Sequence, residues 1–118
     1  MKALLLSRSV GKVIFWMLCL TVVLAAVMPQ SNSPQLFALA DKVVHTVAFL
    51  VLALVGLRAY PRQVLVMVVV LIALGGLIEI LQGYTSTRSQ EWEDFLADML
   101  GVGLGTLLAK QLWPDKQR

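Results

Sequence analysis

EILQGYTSTRSQEWEDFLADMLGVGLG, residues 79–105, sets charged side chains against apolar sequence. Glu79 and Gln82 lie three apart at the end of one apolar run, and so share a helix face one turn apart. A polar segment carrying Arg88 follows. Asp94 and Asp98 then lie four apart at the start of the next apolar run, again on one face. The spacing predicts two helices joined by a polar link, both offering carboxylates to the same end. An ionised side chain at membrane depth costs up to about 3 kcal/mol on insertion scales unless it meets a partner or water, which makes these residues functional candidates.

Composition supports the membrane reading. Of the 118 residues, 58% are hydrophobic and 14% charged, with a mean hydropathy of +0.80. Soluble domains carry about a quarter charged residues, so a soluble globular fold is excluded. The length suits one domain, 1–118. The net charge of +3 comes from basic residues in short clusters beside apolar runs rather than on a continuous face. They read as topology signals, with no nucleic-acid partner. Cys19, inside an apolar run, has no second cysteine to pair with and reads as a packing or lipid-facing residue.

The expected fold is all-α, a bundle of four transmembrane helices at about 10–28, 41–60, 64–82 and 92–113. The basic start and apolar run 13–28 also suit a signal peptide. The small-x-small site Ala38-Leu39-Ala40 lies about a dozen residues beyond that run, too far for ordinary cleavage, so the segment is read as helix one. Residues 30–34 form a Ser/Asn/Pro turn, and 36–40 are expected along the interface. Asp41 is placed as the N-cap of helix two. Arg58, Tyr60, Pro61 and Arg62 end it. Gly75-Gly76 in helix three, and Gly101-x-x-x-Gly105 with Gly103 between in helix four, read as packing faces. Trp92 and Trp113 bracket helix four as an aromatic belt would.

Short cytoplasmic loops are enriched in Lys and Arg. With the N-terminus inside, eight of the ten basic residues (Lys2, Arg8, Lys12, Arg58, Arg62, Lys110, Lys116, Arg118) face the cytoplasm and two (Lys42, Arg88) face out. Both termini are therefore expected in the cytoplasm. Six of the seven acids, Asp41, Glu79, Glu91, Glu93, Asp94 and Asp98, then lie at the outer side.

At about 1.5 Å of rise per residue, His45 lies roughly 6 Å inward from Asp41, Glu79 about 6 Å inward of Gly83, and Asp98 about 9 Å inward of Trp92. Three helices thus bring ionisable groups to one level. An imidazole, several carboxylates and a guanidinium make an acid/base pair with an anion clamp. The candidate catalytic residues are His45, Glu79, Asp94 and Asp98; Arg88, Gln82 and Asp41 are candidate substrate contacts. A divalent cation held by Asp94, Asp98 and Glu79 is a further option, since oxygen-rich sites suit magnesium, manganese or calcium. Each residue also has a plain reading. His45 can bond Glu79 or Asp98 between helices with no chemistry, Asp41 and Asp94 can cap helices, Arg88 can snorkel to lipid phosphate, Gln82 can satisfy a neighbour, and Glu91 and Glu93 can be solvated charges.

The pattern Asp41-Lys42-x-x-His45 with Phe49, then Glu79-x-x-Gln82, Arg88, and Asp94-x-x-x-Asp98-x-x-Gly101-x-x-x-Gly105 resembles the VanZ-like family of small bacterial membrane proteins. The resemblance covers residues 41 to about 109, and the chain departs from members that carry Asn at the Asp98 position. It implies a four-helix membrane domain, a part in teicoplanin resistance for the founding members, and a distant relation to membrane enzymes that act on lipid head groups.

The first expectation is an enzyme of the bacterial inner membrane acting on a phosphate-containing lipid or lipid-linked envelope precursor. The alternative is a non-catalytic membrane factor, with a lipid or an envelope-related protein as partner, that changes drug access to the envelope. Proton or ion transfer is a third class. Residues 67–74 and 99–109 carry no ionisable group, so the inner halves of the helices offer no relay.

Overall fold

The structure is a computed structural model and describes residues 8–27, 35–84 and 92–113. They form four helices: α1 (Arg8–Val27), α2 (Gln35–Ala59), α3 (Val64–Gly83) and α4 (Trp92–Leu112). Each contains a span long and apolar enough to cross a membrane: Ser9–Ala26, Lys42–Ala59, Val64–Gln82 and Glu93–Leu112. In hydrocarbon a backbone must satisfy its own hydrogen bonds, which a helix does within one segment. The described residues form a body 46 × 23 × 22 Å, whose long axis matches a bilayer with its head groups, about 40–45 Å.

The helices run up and down. At one pole Lys12 lies over the Tyr60 ring, 5.1 Å from its centre, Trp16 donates its indole N–H to the Tyr60 hydroxyl at 3.0 Å, and Arg58 stands over the Trp113 ring. The start of α1 and the ends of α2 and α4 therefore meet there. The end of α1, the start of α2, the end of α3 and the start of α4 meet at the other pole, where Gln82 reaches the Ala26 carbonyl and His45 reaches Asp98. A tight turn reverses the chain between α2 and α3. Pro61 supplies its fixed φ, and the Gln63 N–H donates to the Tyr60 carbonyl at 3.1 Å.

The inward faces repeat every three or four residues, as a 3.6-residue helix requires. Phe15, Phe49, Leu52, Leu71 and Ile78 are fully buried. Cys19 packs in the same core. Outward, Val13, Leu20, Val47, Leu65, Val69, Leu100 and Leu107 are exposed, an apolar exterior suited to lipid. The most extensive pairing joins α2 to α4. Two glycines permit it. A methyl built on Gly101 would collide with the Thr46 carbonyl oxygen, and one on Gly105 would come 2.6 Å from the Leu50 carbonyl oxygen. Gly103 points away, with nothing within 4 Å, because residues two apart on a helix face nearly opposite directions.

Two expectations change. Helix two starts at Gln35 and not at 41, so residues 36–40 are part of α2 and Asp41 lies in its interior. Asp41 is therefore no N-cap. Leu36, Ala38, Leu39 and Ala40 are strong helix formers directly after Pro34, and nothing in that run stops a helix. Asp94 is the third residue of α4 and not its cap; its carboxylate faces the positive end of that helix's dipole from the first turn.

Candidate functional site

Every buried polar or charged side chain among the described residues lies at the pole shared by the start of α2, the end of α3 and the start of α4: His45, Glu79, Gln82, Asp94 and Asp98. Each sits on its helix's inward face beside apolar core. His45 is one turn before Phe49, Glu79 follows Ile78, and Asp98 is three before Gly101.

At the centre, His45 Nδ1 is 2.7 Å from Asp98 Oδ1. Asp98 is 0% exposed and His45 8%, so this bond forms away from water, where a charge-assisted contact is strongest. Glu79 is 5% exposed. One donor atom from each of His45, Glu79 and Asp98 lies within 4.8 Å of the other two. Gly75, one turn before Glu79, makes room: a methyl there would come 3.2 Å from Asp98 Oδ2. The three carboxylate and imidazole groups at matching depths thus meet as the helix rise predicts.

Around this centre the partners differ from the expected grouping. Asp94 faces Lys42, whose Nζ lies 3.3 Å from Oδ1, so the cluster at the centre takes His45 rather than Asp94 as its third member. Gln82 donates from Nε2 to the Ala26 carbonyl at 3.1 Å. Ala26 is in the last turn of α1, where carbonyls lack an intrahelical partner, so Gln82 closes the end of a neighbouring helix. The Thr46 hydroxyl lies 2.9 Å from the Lys42 carbonyl and 3.3 Å from the Ala97 carbonyl, tying α2 to α4 beside the centre. Arg88 and Glu91, and the side chain of Asp41, lie outside the described residues. Glu93 is exposed.

Lys42 is the site-pole residue that counting cations hides. The sequence signal for it is spacing: three before His45 puts it on the histidine's face and one turn nearer the membrane edge.

This geometry orients an imidazole. With Nδ1–H donating to Asp98, the ring is held in one tautomer and Nε2 is left as the basic atom.

Residues 6–113 match the family profile described as VanZ/LLP1. The chain belongs to the VanZ/LLP1 family. No curated protein and no solved structure matches it. The match reaches further than the motifs do, for it takes in α1, whose sequence carries no polar signature. The VanZ/LLP1 chain is a multi-pass membrane protein, and the buried polar groups among its described residues are concentrated at one pole.

Proposed function

We propose that this VanZ/LLP1 protein works at the outer face of the bacterial inner membrane, on the phosphate-bearing head group of a lipid or of a lipid-linked envelope precursor. His45 exchanges the proton at Nε2. Asp98 holds its ring and stabilises the imidazolium that forms, and Glu79 adds a second carboxylate beside it. Lys42 and Arg88 supply positive charge toward the phosphate.

The observation that carries this reading is the 2.7 Å contact of His45 Nδ1 with Asp98 Oδ1. It joins side chains 53 positions apart in sequence, with Glu79 from a third helix within 4.8 Å. Polar groups from three helices at one depth are costly in a membrane, and function is the usual reason for keeping them. The outward reading of this pole is supported by the cation bias, since Lys12, Arg58 and Lys110 belong to the opposite ends of their helices.

A second reading draws on the burial of Asp98. A carboxylate 0% exposed can serve as interhelical glue, and the protein would then be a non-catalytic membrane factor that alters access of a glycopeptide such as teicoplanin to the envelope. Mass spectrometry of lipid extracts from cells with and without the protein separates the two. The enzyme reading expects a head group gained or lost when the protein is present. An unchanged lipid profile alongside a changed drug response overturns it in favour of the factor.

A further inference from the structure

We propose that His45, Glu79 and Asp98 bind one divalent first-row transition ion, of the zinc or manganese class, inside the bundle. A nitrogen of His45 and a carboxylate oxygen from each of Glu79 and Asp98 all lie within 4.8 Å of one another. Ligand atoms at the corners of a tetrahedron, each about 2.1 Å from the ion, stand about 3.4 Å apart, so side-chain shifts of roughly 1 Å close the set. The ligands come from α2, α3 and α4, one each, and packing fixes those helices against one another. Gly101 and Gly105 bring α4 onto α2, and Gly75 brings α3 onto Asp98.

Charge points the same way. With both carboxylates ionised and the imidazole neutral, as metal binding requires, the cluster carries two negative charges, which a divalent ion brings to zero in a region where net charge is costly. Imidazole nitrogen selects a transition ion over magnesium or calcium, which favour all-oxygen shells. Asp94 is not one of the three residues whose ligand atoms lie together; it faces Lys42 at 3.3 Å. Three protein ligands leave positions open for water or a phosphate oxygen, as at zinc centres that do chemistry. The site uses the side chains of the function proposed above and competes with it at His45, because a ring nitrogen that holds the ion cannot also exchange a proton; it rests on their geometry. A bound ion with no lipid change, or a lipid change with no bound ion, would separate the two.

The test takes the full chain in detergent, strips it with a chelator and titrates it with Co²⁺. Visible absorption follows binding, and elemental mass spectrometry after desalting counts the metal. The expected result is a single equivalent of cobalt per chain, displaced by Zn²⁺ and not by an excess of Mg²⁺. His45→Ala and Glu79→Gln should each weaken binding by more than about tenfold, the least that even an outer-sphere change at a metal site brings. Glu93→Gln, at an exposed position, should bind as wild type. Substoichiometric cobalt in the wild-type chain, or equal displacement by Mg²⁺, overturns the proposal even if no variant folds. So does a folded, monodisperse His45 or Glu79 variant that binds as wild type.

Discussion

Thr46 shows how a single hydroxyl can support the site without belonging to its chemistry. Its O–H lies within reach of one carbonyl on its own helix and one on α4, beside His45. Interhelical side-chain hydrogen bonds in membranes average about 0.6 kcal/mol, so Thr46→Val should lower unfolding stability in detergent by about that amount while activity per folded protein stays at the wild-type level. A loss of activity with intact stability would instead place Thr46 in the working site. At this scale the sequence was readable where geometry is set by helix rise. Counting residues along the helices singles out His45, Glu79 and Asp98, and the three do meet within 4.8 Å, although α2 starts six residues before Asp41, from which the depth of His45 is counted. The neighbour of His45 was narrowed to Glu79 or Asp98 and is Asp98, but the neighbours of Gln82 and Asp94 were not readable. Gln82 goes to Ala26 on α1 and Asp94 to Lys42, choices decided by the rotation of helices about their axes, which an apolar exterior hardly constrains.

Among the helices, α4 depends most on small residues. Gly101 and Gly105 lie against the α2 backbone at Thr46 and Leu50, while Gly103 faces open space. Gly101→Leu and Gly105→Leu should each sharply lower the yield of folded protein on size exclusion, because the obstacle is main chain and cannot rotate aside. Gly103→Leu should leave the yield unchanged. If all three behaved alike, the face of α4 set against α2 would be wrong. The four-residue interval gave this face from sequence. The start of α2 was missed because an aspartate ahead of an apolar run resembles a cap, whereas the preceding Leu/Ala run is itself helical.

For the whole molecule, the arrangement separates two poles. Lys12, Arg58, Tyr60 and Trp113 gather at one, and the buried acids and His45 at the other. The cation bias predicts that the first pole faces the cytoplasm. Reporters fused after Arg62 and after Arg118 should then read as cytoplasmic, and one inserted near Asn32 as external. An external signal from the Arg118 fusion would invert the bundle and put the polar pole inside. Composition alone made the fold class legible, since only helices or closed barrels span a bilayer and the apolar runs have helical length. The division of cations and acids between two ends was legible in the loop charges, whereas the place of α1 beside the polar pole, with Gln82 on the Ala26 carbonyl, needed the structure.

Whether the polar pole works as a unit is measured most directly by the lipid profile of cells carrying site variants, normalised to folded protein. His45→Ala, Glu79→Gln and Asp98→Ala should each abolish the head-group change, and the double variant His45→Ala/Asp98→Ala should be no worse than either single one, as for residues that act together in one step. Glu93→Ala should keep the wild-type profile. If the head-group change simply followed the amount of folded protein across all five variants, or if Glu93→Ala matched the site variants, the cluster would be a packing feature and the catalytic account would be contradicted.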